Sequence, residues 1–208
     1  MQKKLIIFDM DGTLVNSSLT IANAINYVRK HLGFEPMEQE YILRRVNDES
    51  INPAQVFYHA KAFDKDHEKW FSQYYTKYHK QELILYEGIE TLLHQLKSQG
   101  CALAVATNAY RRSTLESLGH LKVLALFDSV LCADDVEEAK PQPQMLYKIL
   151  DELKISKDNA IFIGDGMRDK MASQRANIDY IMVDWGFSEH DDAIRTVKEL
   201  ENELNSII

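Results

Sequence analysis

Two aspartates separated by one residue, Asp9 and Asp11, follow a short apolar run near the start of the chain and precede Gly12 and Thr13. Side chains two residues apart on an extended chain point to the same side. A carboxylate can attack phosphorus and form an aspartyl-phosphate, and a second carboxyl beside it can protonate the leaving oxygen and then activate a water. Gly12 allows the chain to turn away sharply after the pair. Two carboxyl groups at this spacing could therefore act as a nucleophile and as an acid and base at the end of the first strand.

Further polar side chains follow three later apolar runs. In open α/β sheets, ligands bind beyond the carboxyl ends of the strands, so these residues are candidates for one site. They are Thr107 and Asn108 after the second run, Asp134, Asp135 and Lys140 after the third, and Asp165 and Asp169 after the fourth. Carboxylates that converge at one sheet edge repel each other unless a cation lies among them. Three carboxylates suit a hard divalent cation, most naturally Mg²⁺.

A cation would also help a carboxylate to approach a phosphate dianion. Two unit charges 4 Å apart interact by about 1 kcal/mol in water and about 4 kcal/mol at an effective dielectric constant of 20, and a dianion doubles these values. Mg²⁺ between the carboxylate and a phosphate oxygen would remove this repulsion, and a lysine would help. The prediction requires Thr107, Lys140 and Asp165 to meet the first two aspartates at one sheet edge.

The elements that must position these residues alternate along the chain. Five apolar runs without period-2 alternation are typical of strands covered on both faces in a parallel sheet. These runs cover residues 4–8, 102–107, 129–133, 160–164 and 180–184. Apolar stripes at helical spacing cover residues 89–96, 145–153 and 194–204. The alternation predicts an α/β fold with a doubly wound, mostly parallel sheet.

Residues 17–83 break this alternation, because they carry helical patterns and no strand-like run. One apolar stripe closes at Gly33, and a second helical pattern, rich in aromatic residues, covers residues 64–80. We therefore predict an all-helical cap domain at 17–83. It is inserted after the first strand of a core domain that comprises residues 1–16 and 84–208.

Composition and charge exclude several classes of protein. The chain of 208 residues carries a formal net charge of −8, which argues against a nucleic-acid or anionic-membrane binder. No stretch approaches the roughly 20 apolar residues of a membrane span, and the first apolar run is too short for a signal peptide. Cys101 and Cys132 lie in apolar contexts and are expected to be buried thiols. We predict a soluble cytoplasmic protein, either a monomer or a homodimer.

Four motifs in this order resemble those of the haloacid dehalogenase superfamily of phosphohydrolases. They are DMDGT at residues 9–13, ATN at 106–108, KPQP at 140–143 and GDGMRD at 164–169. Each motif alone is a weak signal, but the ordered set extends over nearly the whole chain. The resemblance implies a Rossmann-like core and the helical-cap subclass that includes phosphoglycolate phosphatases and β-phosphoglucomutases. In that subclass the cap closes over the core and excludes bulk water.

The resemblance implies catalytic roles for the matching residues. Asp9 is expected to be the nucleophile, and Asp11 the general acid and base. Lys140 would bridge Asp9 and the phosphate. Thr107 and the Asn108 amide would hold the transferring phosphoryl group.

The resemblance also implies a Mg²⁺ site formed by Asp9, Asp11, Asp165 and Asp169. Asp11 would contribute its backbone carbonyl, and Asp165 would be the third protein ligand. Asp169 is expected to support metal-bound water rather than to bind directly. The competing interpretations are a helix N-cap for Asp165, which is compatible with the metal role, and a plain first-turn acid for Asp169.

Arg44 and Arg45 lie with Asn47 in the predicted cap, at positions from which the cap could reach a substrate, although a solvated helix face is the favoured interpretation of the two arginines. The segment VDWGF at 183–187 resembles one that is common in phosphoglycolate-phosphatase-like members.

The chain departs from the family pattern at two positions. Asn16 stands where many relatives have aspartate, which is expected to affect hydrogen bonds of the cap linker. Asn177 replaces the glycine of an Ala-Gly pair, and asparagine tolerates left-handed backbone well enough to keep a helix C-cap. Neither departure removes a catalytic group.

The sequence therefore predicts a Mg²⁺-dependent phosphatase whose partner is a small-molecule phosphate ester. One alternative is a β-phosphoglucomutase-like phosphomutase, which would use the same residues. Another is a catalytically silent binding protein on the same fold, which the filled catalytic positions disfavour. A haloacid dehalogenase is also disfavoured, because displacement of a halide needs neither a metal site nor the leaving-group acid that Asp11 would provide.

Overall fold

The computed structural model describes residues 2–46, 48, 50–186 and 192–208. The chain divides into two units. The core unit is formed by Met1–Val15 and Leu85–Ile208, and the cap unit by Asn16–Ile84.

Strands and helices alternate through the core unit, whereas helices dominate the cap unit. The strands are β1 (Leu5–Phe8), β2 (Val15–Asn16), β3 (Ile84–Leu85), β4 (Ala102–Ala106), β5 (Ser129–Leu131), β6 (Ala160–Gly164) and β7 (Asp179–Met182). The α-helices are α1 (Ser18–His31), α2 (Gln39–Val46), α3 (Pro53–Tyr58), α4 (Lys65–Glu82), α5 (Ile89–Ser98), α6 (Arg111–His120), α7 (Gln144–Leu153), α8 (Met167–Ala176) and α9 (Val197–Ile207). The short strands β2 and β3 pair with each other.

Five strands of the core unit form one parallel sheet in the order β5-β4-β1-β6-β7. The central strand is β1, and every residue of it is fully buried, which explains why its sequence shows no alternation. Because β4 lies on one side of β1 and β6 on the other, the sheet has its topological switch point at the end of β1. The predicted α/β fold with a parallel sheet is confirmed.

Helices α7 and α8 cover one face of this sheet. Met145, Leu146 and Ile149 of α7 are fully buried against a cluster that includes Ile7 and Phe162 of the sheet. Burial of each large apolar side chain contributes roughly 1.5–3 kcal/mol, so the predicted stripe of α7 fixes this helix on the sheet. The loop that carries Lys140 runs directly into α7.

The cap unit is built from α1 to α4 around its own apolar cluster. The cluster joins Ile25 and Val28 of α1 to Ile42 of α2 and Phe57 of α3. The buried guanidinium of Arg29 donates from Nε to the Glu35 carbonyl at 2.8 Å and from a terminal nitrogen to the Phe57 carbonyl at 2.5 Å. Backbone oxygens thus satisfy a buried charge that would otherwise be costly.

Two predicted elements differ from the structure at their ends. The strand expected at 129–133 ends at Leu131, and Ala133–Asp135 forms a 3-10 turn. The prediction that Ile194 belongs to the last helix is wrong. Its N–H donates to the Met182 carbonyl at 2.9 Å, so it extends the edge of the sheet, and the helix begins only after the Thr196 cap.

Smaller predictions are confirmed. Asn177 ends α8 in the left-handed region, at φ 53° and ψ 49°. The Asn16 side chain accepts a hydrogen bond from the Ser18 N–H at 3.2 Å, at the start of α1. Cys101 and Cys132 are free and buried.

Across the described residues, none of the helices has the length and apolar character that crossing a bilayer requires.

Candidate active site

The carboxyl ends of β1, β4 and β6 lie side by side, because Phe8, the last residue of β1, pairs with both neighbouring strands. The ladder continues for one more residue, since the Asp9 N–H donates to the Ile163 carbonyl at 2.8 Å. Asp9, Thr107 and Asp165 therefore leave the sheet at the same edge.

The ammonium group of Lys140 joins two aspartates of this edge. Its Nζ lies 2.5 Å from Asp9 Oδ1 and 2.6 Å from Asp169 Oδ1, and all three side chains are buried. The ring centroid of Phe162 lies 5.4 Å from the same Nζ. Burial lowers the pKa of Lys140, but the two carboxylates outweigh burial and hold its pKa above the usual value. Lys140 is therefore a buried cation that its partners keep protonated.

Three carboxylates surround this cation. Asp9, Asp165 and Asp169 each place an oxygen within 4.8 Å of the others. Burial raises the pKa of Asp9 to about 7, although Lys140 opposes this rise. Burial, followed by the charges of Asp9 and Asp169, raises the pKa of Asp165 well above its usual value. Because one ammonium faces three carboxylates, the oxygen donors fit a hard divalent cation such as Mg²⁺.

Two glycines allow these carboxylates to lie against the backbone. A Cβ at Gly12, where φ is +82°, would lie 2.1 Å from Asp165 Oδ2. A Cβ at Gly164 would lie 2.5 Å from Asp169 Oδ2. Both positions therefore exclude any larger residue unless a site carboxylate moves.

Both oxygens of Asp169 are engaged by the protein. Oδ1 contacts Lys140, and Oδ2 accepts a hydrogen bond from the Gly166 N–H at 3.2 Å. Asp169 thus fixes the lysine and the first turn of α8 together. This arrangement fits the implied supporting role better than direct ligation.

The Asn108 side chain forms two hydrogen bonds with the backbone of Lys140, and this contact was not predicted from the sequence. Its Nδ2 donates to the Lys140 carbonyl at 2.8 Å, and its Oδ1 accepts from the Lys140 N–H at 2.9 Å. A contribution of Asn108 to phosphate binding would therefore come from its backbone N–H. Thr107 is buried, and its hydroxyl accepts from the Ala109 N–H at 3.1 Å.

The loop after Asp9 folds back on itself. Three consecutive N–H groups, of Thr13, Leu14 and Val15, donate to the Met10 carbonyl. The indole N–H of Trp185 donates to the Thr13 carbonyl at 3.0 Å. Within the described part of the chain, the carboxylate cluster consists of Asp9, Asp165 and Asp169, and Asp11 is not one of its members.

The two cap arginines pair with acids of their own unit. Arg44 and Arg45 belong to α2 of the cap unit, where Arg44 pairs with Glu40 at 2.8 Å and Arg45 with Asp48 at 3.0 Å. Asn47 lies outside the described residues.

Asp134 and Asp135 have structural roles in the core unit. Asp134 Oδ1 accepts from the Arg111 N–H at 2.7 Å, at the start of α6. Asp135 pairs with the Arg111 guanidinium at 2.9 Å and accepts from the Cys132 N–H. Both acids thus stabilise local structure, although they follow the third apolar run as candidates for the site.

Comparison with known proteins places this site in a family. The model of the haloacid dehalogenase-like hydrolases matches residues 6–183. A phosphoglycolate phosphatase from Psychrobacter arcticus is 30% identical over 202 residues, which cover 92% of this chain and 88% of that protein. A pyrophosphatase, PpaX, from Bacillus mycoides is 25% identical and covers 86% of this chain and 83% of its own.

A solved structure shows the same fold. The haloacid dehalogenase-like family hydrolase SP0104 from Streptococcus pneumoniae aligns with a TM-score of 0.76 and 26% identity, covering 91% of this chain and 89% of that chain. The four motifs converge on one sheet edge, and the family match spans most of the sequence. The chain therefore belongs to the haloacid dehalogenase-like hydrolases, as a phosphatase of that superfamily.

Proposed function

We propose that this phosphatase depends on Mg²⁺ and hydrolyses a small phosphomonoester through a phosphorylated Asp9. The observation that carries this proposal is the buried group of Asp9, Lys140 and Asp169, with Asp165 beside it. A purely structural ion pair would not need a third carboxylate at the same place. Such crowding is typical of a site that binds a cation and an anionic substrate.

The first step is the attack of an Asp9 carboxylate oxygen on phosphorus. The new O–P bond forms as the bond from phosphorus to the ester oxygen breaks. Lys140 stabilises the negative charge on the phosphoryl oxygens, because its Nζ already lies 2.5 Å from Asp9 Oδ1. The Thr107 hydroxyl and the Asn108 backbone N–H orient the group, which is the main task of a protein in phosphoryl transfer.

Asp11 handles the protons in both steps. As the ester bond breaks, its carboxyl gives a proton to the leaving oxygen, and the alcohol departs. The Asp11 carboxylate then takes a proton from a water that attacks phosphorus. This second displacement releases phosphate and restores the Asp9 carboxylate.

The proposed Mg²⁺ ligands are the carboxylates of Asp9 and Asp165 and the backbone carbonyl of Asp11. When bound, the cation would offset the charge of the carboxylates and of the phosphoryl oxygens. Asp169 would hold water and Lys140 in place around this site.

The substrate is expected to be a small, strongly anionic phosphate compound. The names of the relatives point to phosphoglycolate and to pyrophosphate as the first two compounds to test. We propose Arg44 and Arg45 as substrate contacts from the cap. Arg44 is exposed and Arg45 is half-buried, with side-chain exposures of 69% and 42%, and both pair with acids of their own unit.

Phosphate release in the presence of Mg²⁺ tests the proposal. The panel is phosphoglycolate, sugar phosphates, nucleoside monophosphates, pyrophosphate and a phosphonate. We expect turnover of at least one phosphomonoester, which Asp9→Asn abolishes. Asp151→Asn is the matched control, since Asp151 is 82% exposed and pairs only with the nearby Lys154 among the ion pairs of the described residues.

Three outcomes would contradict the proposal. They are no phosphate release from any ester, full activity of Asp9→Asn, and isomerisation of a sugar phosphate that is faster than its hydrolysis. The last would indicate a phosphomutase instead.

A further inference from the structure

The hydroxyl of Tyr180 contacts the turn that carries Asp165. Tyr180 lies on β7 and pairs in register with Phe162 of β6. Its Oη donates to the Gly164 carbonyl at 2.8 Å, and the Gly166 carbonyl lies 3.3 Å away as a second, longer acceptor. The first carbonyl belongs to the peptide bond that joins Gly164 to Asp165. The hydroxyl therefore holds the backbone on either side of a proposed metal ligand.

Two other hydrogen bonds also restrain this turn, and the Tyr180 hydroxyl adds to them. The Val183 N–H also donates to the Gly164 carbonyl, at 3.0 Å, as the last bond of the strand ladder. The Gly166 N–H is held by Asp169 at 3.2 Å. Gly164 and Gly166 have no side chain to pack, and glycine backbone is the most costly to order. A hydrogen bond from a rigid ring is an effective way to fix such a turn.

The ring of Tyr180 links the turn to the buried lysine. It packs edge-on against Phe162, with 6.0 Å between the ring centroids. Phe162 in turn lies beside Lys140, whose Nζ is 5.4 Å from its ring centroid. None of these hydrogen bonds and ring contacts joins Tyr180 to Asp9 or Lys140. Tyr180 instead contacts the turn that carries Asp165 and the ring of Phe162, which lies beside Lys140.

We propose that Tyr180 is a positioning residue, whose hydroxyl sets the orientation of Asp165 for binding of the divalent cation. This inference rests on the proposed function, because it assumes that Asp165 is a metal ligand. Partners that orient a ligand from behind commonly matter for metal affinity. Burial, followed by the charges of Asp169, Asp165 and Asp9, raises the pKa of Tyr180, so the hydroxyl keeps its proton and remains a donor.

Tyr180→Phe tests the inference, because it removes the hydroxyl and keeps the ring against Phe162. We expect the Kd for Mg²⁺, measured by calorimetry on the substrate-free protein, to rise about tenfold. The Mg²⁺ concentration for half-maximal phosphate release should rise in parallel, while kcat at saturating Mg²⁺ stays near that of the wild type. Loss of a residue that only packs in the core would not raise the Kd for Mg²⁺ while leaving kcat at saturating Mg²⁺ unchanged.

Tyr147→Phe is the matched control. Its hydroxyl donates to the Arg175 carbonyl at 2.9 Å, near the other end of α8, and the residue is 48% exposed. We expect it to bind Mg²⁺ as the wild type does. As a second measurement, hydrogen exchange at residues 164–166 of the metal-free protein should quicken in Tyr180→Phe and not in Tyr147→Phe.

The outcomes separate this inference from the proposed function. If wild type binds Mg²⁺ and Tyr180→Phe binds it equally well, the positioning role is wrong and the proposed function stands. If wild type does not bind Mg²⁺ at all, the metal site and the inference are both wrong. If Tyr180→Phe lowers kcat at every Mg²⁺ concentration with an unchanged Kd, the hydroxyl acts on the reaction and not on the metal ligand, which overturns the inference.

Discussion

A buried lysine between two aspartates is stable only as a complete group. Removing one partner of a buried ion pair commonly costs about 3–5 kcal/mol, because the other charge is left without compensation. Lys140 compensates Asp9 and Asp169 in part, and Asp165 adds a third carboxylate within 4.8 Å. In the absence of a metal, a proton shared among these carboxylates is the simplest way to reduce their mutual repulsion. The raised pKa of Asp9 corresponds to such a proton.

The metal-free protein should therefore lose stability as the pH rises. The pKa of Asp9 is about 7 in the folded chain, against about 4 for an unfolded aspartate. Between these values the folded chain binds a proton that the unfolded chain has released, so the free energy of unfolding falls with rising pH. Asp9→Asn should make this fall smaller by at least about 1 kcal/mol between pH 5 and 7.5, because each pKa unit corresponds to about 1.4 kcal/mol. Urea denaturation in EDTA measures it.

Asp151→Asn provides the comparison for this titration. Asp151 is an exposed acid outside the carboxylate cluster, so its replacement should leave the pH dependence of the wild type intact. Equal pH dependence in Asp9→Asn and wild type would show that Asp9 is ionised throughout the range.

At the scale of elements, residues that follow β1, β4 and β6 contribute to the site, and the sequence indicated them as polar residues after apolar runs. An apolar run that stops at an acid or a hydroxyl indicated a buried strand, and for β1, β4 and β6 it also indicated the sheet edge where the site lies. The support behind the edge is harder to see. Tyr180 stands in an apolar run and looks like any strand tyrosine, and only its register with Phe162 aims the hydroxyl at Gly164. Asn108 likewise gains its partner from a loop residue 32 positions later.

The turn after β1 should not tolerate a methyl group. In Gly12→Ala the new Cβ would meet Asp165 Oδ2 at 2.1 Å, so the carboxylate or the loop must shift. We expect weaker Mg²⁺ binding and a loss of phosphate release of at least about 100-fold, since a misplacement of about 1 Å can cost that much. Calorimetry and phosphate-release assays measure the two effects.

Gly100→Ala separates the close contact from backbone strain. Gly100 has nearly the same φ, +84° against +82°, but a Cβ added there would meet no neighbouring atom within 4 Å. We expect a loss of about 1 kcal/mol of stability with Mg²⁺ affinity and activity retained. Equal losses of activity in the two variants would mean that strain, and not the contact with Asp165, is responsible.

At the scale of the whole molecule, the alternation of patterns was enough to predict the fold. A run of helical patterns without strands stood out inside an α/β chain, and the cap unit indeed has its own apolar cluster. The element ends were less predictable, because a residue such as Ile194 is apolar whether it continues a helix or extends a sheet. The identity of the substrate could not be predicted either, because the cap arginines form ion pairs with neighbouring acids, and such pairs are common on any exposed helix.

The division into two units leads to a prediction about metal binding. All the proposed Mg²⁺ ligands lie in the core unit. Mg²⁺ at 100 times its Kd should stabilise the fold by about 2.7 kcal/mol, which corresponds to a rise in Tm of about 5–10 °C for a chain of this length. If the units open independently, hydrogen exchange should slow in residues 1–15 and 85–208 and stay unchanged in 16–84. Asp165→Asn should remove both effects, and equal protection of both units would instead show that they unfold as one cooperative body.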